Sequence, residues 1–198
     1  MKNVLFALLA LLLCTGTASA QLIKSKAPVD AKYLAGGVPE VDGKVVFSRV
    51  ITLDSTLPAD SLYNCLRRWV GAYYNNENVL KRQSLDTDPA SRRIEAGIVE
   101  YLVFKSTSLV LDRTQIIYSL KLSLKGQKLS VSMSQISYYY EEERSPEKYT
   151  AEEWISDSQC LNKKGTKLTY GRGKFRIKTI DKFDDICQSL TDFVSALK

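Results

Sequence analysis

The sequence predicts an α+β fold, an antiparallel sheet of about five strands with two main helices on one face and a short extra helix. Three observations carry that prediction. Early in the chain, Leu62, Cys65, Leu66, Trp69, Val70 and Tyr73 recur at the i, i+3, i+4, i+7 spacing of an amphipathic helix. Ile180, Phe183, Ile186, Cys187, Leu190, Phe193, Val194 and Leu197 repeat that spacing at the end. Between them, Ile116, Tyr118, Leu120, Leu122 and Leu124 alternate with Ile117, Ser119, Lys121, Ser123 and Lys125, the period-two pattern of a sheet with one face buried and one wet.

Taken in order, residues 1–20 read as a secretory signal peptide: charged Lys2, an apolar run from Val4 to Leu13, and small residues Ala18-Ser19-Ala20 ahead of Gln21. The apolar run falls short of the roughly 20 residues a membrane-spanning helix needs. The expectation is cleavage before Gln21 and a periplasmic or extracellular mature chain. Cys14 raises lipid attachment as a rival, which Leu13 disfavours because that processing wants a small residue there.

Gln21 to Gly43, punctuated by Pro28, Gly36-Gly37 and Pro39, reads as an extended N-terminal arm. Residues 44–198 read as a single domain with a core at 44–138 and a C-terminal extension at 139–198. Lys44 to Leu53 is its first strand. The turn from Asp54 to Asp60 places hydroxyls before the first helix, Pro58 in its first turn and a carboxylate near the positive end of its dipole.

Val79 to Leu85 is a short strand, Asp86 to Pro89 a turn, and Arg92 to Lys105 a longer strand with Ile94, Ala96, Ile98, Leu102 and Phe104 on one parity. Gln115 to Lys125 turns at Gly126-Gln127 into Leu129, Val131 and Met133, which alternate with Ser130, Ser132 and Ser134, so the two strands form a hairpin. Tyr138 to Tyr140 read as partly buried edge aromatics. Thr150 and Glu153 form a capping box for a short helix from Ala151 to about Cys160, with Trp154 turned inward. Asn162 to Lys178 is glycine-punctuated and basic, and reads as an irregular surface crossover before the last helix.

Composition excludes several chemistries. The 198-residue chain has no histidine, which removes Ser-His-Asp and Cys-His nucleophiles and histidine-based zinc sites. Its formal net charge is +6, with Lys2 contributing one unit, an excess that permits anionic partners without requiring them. Beyond residue 20 the cysteines are Cys65, Cys160 and Cys187. Cys65 reads as a small buried hydrophobe on the first helix, while Cys160 and Cys187 could bridge.

Ser145-Pro146-Glu147-Lys148 matches S-x-x-K but lacks the partner motifs, and Gly171 to Phe175 lacks the hydroxyl that a phosphate loop puts after its lysine. Glu95, Glu100 and Glu141 to Glu143 could be nominated as paired carboxylates, against the reading that they are a solvated acidic face. Two surfaces stay as binding candidates. One is the basic crossover with Lys163, Lys164, Lys167, Arg172, Lys174 and Arg176; the other is the wet sheet face with Ser119, Lys121, Ser123, Ser130, Ser132 and Ser134.

The secreted start, Lys44-Val45-Val46-Phe47-Ser48, Asp60-Ser61-Leu62-Tyr63 through Trp69, and Thr150-Ala151-Glu152-Glu153-Trp154 leading to Gly173-Lys174-Phe175-Arg176 together resemble a known family. It is a family of exported proteins of Bacteroides-type bacteria, catalogued as a domain of unknown function with a fold like half of the TATA-binding protein (TBP). The resemblance implies a curved sheet and supplies no catalytic residue. In the TATA-binding protein the corresponding face grips a DNA minor groove through apolar wedges and basic side chains. Here that face is serine-rich, so DNA is not an expected partner. The expectation is a non-enzymatic domain that binds or scaffolds an unidentified envelope component or protein, without cofactor or metal. The competing reading is a histidine-free hydrolase using serine or carboxylate chemistry.

Overall fold

The structure is a computed structural model that describes residues 28–53, 55–140 and 145–197. Residues 1–20, read as a signal peptide, and Glu141 to Glu143 lie outside the described residues. Elements follow as β1 (Glu40–Val41), β2 (Lys44–Val45), β3 (Phe47–Thr52), α1 (Ala59–Tyr73), β4 (Val79–Asp88), β5 (Arg93–Ser106), β6 (Leu111–Lys125), β7 (Lys128–Tyr140), β8 (Glu147–Thr150), α2 (Ala151–Trp154), α3 (Asp157–Cys160) and α4 (Arg172–Ser195). The main sheet is antiparallel, in the order β3-β7-β6-β5-β4, with β8 beside the far end of β7.

Leu120, Leu122 and Leu124 of β6 and Leu129, Val131 and Met133 of β7 face the core, as their alternation predicts. Gly126, at φ 57°, makes the turn between them. Beyond Met133 the parity of β7 inverts. Ile117 pairs with Ser137 but Ser119 pairs with Ser134, so an extra residue enters at Gln135, whose φ is 54°. This bulge bends the strand and hands the core-facing role to Ile136 and Tyr138. Tyr138 is therefore fully buried on an inner strand, not at an edge, and its OH shares a hydrogen bond with Thr179 Oγ1 (2.7 Å).

Helices α1 and α4 cover the same face of the sheet. Leu62, Leu66, Trp69 and Val70 of α1 and Ile180, Phe183, Ile186, Cys187 and Leu190 of α4 are buried. Each such aliphatic or aromatic side chain contributes about 1.5–3 kcal/mol relative to exposure. Trp69 Nε1 donates to Ser189 Oγ (3.1 Å) between the helices, and the Phe47 and Phe183 rings pack at 5.5 Å between sheet and α4.

Several boundaries differ from expectation. The first strand divides at Val46: Lys44–Val45 pairs back on Glu40–Val41, and Phe47–Thr52 joins the main sheet. Pro58 sits at the cap of α1, not inside its first turn, while Ser55 Oγ accepts from the Leu57 N–H (3.2 Å). β4 runs on to Asp88, where the side chain, accepting from Ala90 N (3.0 Å), begins the turn. The capping box of Thr150 and Glu153 is present, but the helix it starts stops at Trp154 and a second short helix begins at Asp157.

The largest correction concerns α4, which starts at Arg172. The second half of the basic segment is helix, not irregular crossover. Gly171, at φ 79°, makes the entry. The three cysteines among the described residues, Cys65, Cys160 and Cys187, are free and buried, so Cys160 and Cys187 form no bridge.

Candidate functional site

Helix formation at Arg172 sorts the six basic candidates. Lys163, Lys164 and Lys167 are exposed in a loop closed by Asn162, whose Oδ1 accepts from the N–H groups of Thr166 (2.8 Å) and Lys167 (3.1 Å). Arg172 donates to Gln159 O (3.0 Å) and lies over the Trp154 ring at 4.5 Å.

Arg176 is 0% exposed. Its guanidinium donates to the carbonyls of Tyr33 (2.7 Å), Leu34 (2.5 Å) and Ile155 (2.7 Å) and to Asp157 Oδ1 (2.6 Å). It ties the N-terminal arm and the α2–α3 connection to α4, and it cannot meet a ligand. The sequence signal was its phase. Arg176, Thr179, Ile180, Phe183 and Cys187 lie on one helical stripe, and a cation on a buried stripe must bring its own acceptors.

Lys174 stands between these extremes. Its Nζ donates to Asp112 (2.7 and 3.0 Å) and to Tyr140 OH (2.9 Å), joining α4 to the ends of β6 and β7. Burial pulls its pKa down, but the hydrogen bonds to Asp112 and Tyr140 outweigh that and hold it above the ordinary lysine value. Asp112 was not singled out in the sequence, and Tyr140 was read only as a partly buried edge aromatic.

This trio lines a cleft of about 1220 Å³ at the N-terminal end of α4. The other walls are the arm at Pro28, Val29 and Leu34, the loop from Thr166 to Tyr170, and Trp154, Phe175 and Ile177. Phe175 is the hub of an aromatic cluster, at 4.6 Å from Phe104, 5.2 Å from Tyr138, 5.3 Å from Tyr140 and 5.8 Å from Trp154. Trp154 has Tyr149 stacked on it at 3.7 Å and Arg172 over its ring, so its faces are taken. Its Nε1–H is buried and meets no acceptor among the described residues. The cleft thus combines apolar walls and an internally neutralised ion pair.

The serine-rich face forms, but it is not wet throughout: Lys121 and Ser130 are exposed, Ser123, Ser132 and Ser134 half-buried, and Ser119 buried. Ser123 lies opposite Ser130, Lys121 opposite Ser132, and Ser119 opposite Ser134. Ser119 Oγ donates to Glu95 Oε1 (3.0 Å), whose other oxygen meets Lys121 Nζ (3.1 Å). The Lys121 hydrogen bond holds the Glu95 carboxyl below its usual pKa, which makes it a poor base for a serine hydroxyl.

Glu100 departs from the solvated acidic face expected for the glutamates. It is 2% exposed, on the core parity of β5 with Ile98 and Leu102, and that parity was the legible signal. Tyr118 OH donates to it (2.5 Å), as does Lys182 Nζ (2.8 Å), and with the Tyr118 proton so committed Tyr74 OH donates to the Tyr118 oxygen (3.0 Å). Burial drives both tyrosine pKa values well up, so the network stays protonated at its phenols. It joins sheet, α1 and α4.

Among the described residues no group of three or more His, Cys, Asp or Glu could hold a metal ion, and no helix is long and apolar enough to cross a membrane. No curated protein matches the chain. Residues 47–139 match the model of a domain of unknown function (DUF4468) with TBP-like fold. A solved TBP-like protein from Parabacteroides distasonis, 16% identical, superposes with a TM-score of 0.62 over 80% of this chain and 97% of its own, a likeness of fold. A solved DUF4468 family protein from Bacteroides ovatus is 35% identical and superposes with a TM-score of 0.73 over 84% of this chain and 95% of its own. With that identity across nearly the whole of a solved relative, and the family model lying on β3 through β7, this chain belongs to the DUF4468 family of TBP-like fold.

Proposed function

We propose that the protein is a non-enzymatic binding domain of the cell envelope that takes an apolar group of its ligand into the cleft at the N-terminal end of α4. The observation that supports this reading is the cleft itself. It has about 1220 Å³ between Val29, Leu34, Leu168, Phe175 and Ile177, somewhat more than the roughly 300–1,000 Å³ of small-molecule sites, with few polar groups to fix orientation. Export through residues 1–20 places the domain at the envelope in this reading.

Hydrolysis has less to stand on. Lys174 is spent on Asp112 and Tyr140, and Ser119 faces a carboxylate already claimed by Lys121. Titration with N-phenyl-1-naphthylamine, a fluorescent apolar probe, tests the binding reading. The wild-type chain should enhance its emission saturably, and Tyr170→Asp with Val29→Asp, both exposed positions, should weaken the probe about tenfold. No saturable enhancement with the wild type would overturn the reading.

A further inference from the structure

We propose that the apex of the β5–β6 hairpin is a docking element that seats in the interface of an anionic lipid bilayer. The hairpin outruns its neighbours. The last β4–β5 pair is Val79 with Glu100 and the last β6–β7 pair is Thr114 with Tyr140, yet β5 and β6 stay paired out to Ser106 and Leu111. Its apex carries three consecutive aliphatic residues, Leu109, Val110 and Leu111, exposed by 93%, 45% and 56%. Withdrawing such side chains from water is favourable by about 25 cal/mol per Å² of apolar surface.

The apex is also closed on itself. The Thr107 N–H donates to the Val110 carbonyl (2.9 Å), the Val110 N–H donates to Thr107 Oγ1 (3.1 Å), and that hydroxyl donates to the Val110 carbonyl (3.3 Å). A backbone entering a low-dielectric layer needs its polar groups met internally.

Behind the apex stands a cationic collar. Among the described residues, Lys105 and Arg113 lie on the hairpin, Lys148 on β8 across β7 from it, and Lys167 on the rim of the cleft that Asp112 also lines. Asp112 is neutralised by Lys174, which among the described residues leaves Glu147 as an exposed acid, opposite Tyr140. Fully exposed Tyr170 adds an aromatic to that rim, the residue type that prefers the headgroup layer. Basic groups set behind an apolar tip match anionic headgroups above an acyl layer.

The same charges argue against a second copy, because an apex inserted into a partner's cleft would bring Lys105 and Arg113 toward Lys163, Lys164 and Lys167. A protein partner would more usually meet a flat patch centred on aromatic or arginine anchors than a convex aliphatic tip.

The test is co-sedimentation of the chain recovered after export, its N-terminus checked by mass, with vesicles of phosphatidylcholine alone or containing about one-third phosphatidylglycerol. The wild type should pellet with the anionic vesicles, and Leu109→Ser with Val110→Ser should lower the bound fraction about tenfold while keeping the urea midpoint. Wild type that stays in the supernatant with both compositions overturns the proposal, as does a variant that pellets like wild type. A wild-type dimer in sedimentation velocity that the variant abolishes would overturn it in favour of self-association. The naphthylamine titration should be the same for variant and wild type, so the apex and the cleft succeed or fail separately.

Discussion

Two stretches of cations five residues apart have opposite fates. Lys163, Lys164 and Lys167 hang from a loop whose backbone is fixed by Asn162, and their ammonium groups stay in water. Arg172, Lys174 and Arg176 open α4, and each is engaged by the fold, progressively deeper along the helix. Composition does not separate them. Backbone periodicity does: a helix docked on a sheet forces every third or fourth residue inward whatever its charge, and an inward cation survives only with acceptors waiting for it.

Removing Arg176 should break that contrast most sharply. Arg176→Met strands three carbonyls and Asp157, and unfolding in urea should show a loss of about 3–5 kcal/mol. Lys182→Met should follow, because it leaves Glu100 buried with only Tyr118 to face it. A loss of about 2–4 kcal/mol is expected, and the further change Glu100→Gln should restore part of it.

Lys174→Ala should cost about 1 kcal/mol, since its pair with Asp112 is partly open to solvent, and a double-mutant cycle with Asp112→Asn should reveal the coupling. The acid limb of the stability profile sharpens the contrast from the carboxylate side. Burial pushes Asp184 up, but the hydrogen bonds from Arg49 and Lys32 outweigh it and hold its carboxyl below the usual range. A lowered native pKa gives stability that is complete above the unfolded value of about 3.9 and is lost as pH falls through the native one. Urea midpoints from pH 6 to pH 3 should therefore drop less steeply in Asp184→Asn than in wild type. The loop supplies the smallest effect: Lys163→Ser, Lys164→Ser and Lys167→Ser together should change stability by less than about 0.5 kcal/mol.

Much of this architecture was legible beforehand. The alternation in β6 and the first half of β7, the apolar stripes of α1 and α4, and the capping box at Thr150 are short-range patterns, and each appeared where its spacing placed it. The buried roles of Glu100 and Arg176 were half visible, since each falls on the buried phase of its element. Taking them as surface charges gave residue type more weight than phase. Asp112 and Tyr140 carried no such mark: a carboxylate and a phenol near strand ends become one site only because α4 delivers Lys174 to them. The parity inversion at Gln135 was likewise hidden, because an unpaired residue shows itself only against its partner strand.

By itself, then, the order of residues determined the α+β class, the two helical stripes and the serine ladder, because these depend on contacts between residues a few positions apart. Tertiary packing alone decided which cations are structural, where β7 changes face and where the cleft opens. Those outcomes depend on partners 19 to 143 positions away for Arg176 and 34 and 62 positions away for Lys174. Charge type and local spacing carry no information about which acceptor another element will bring within reach.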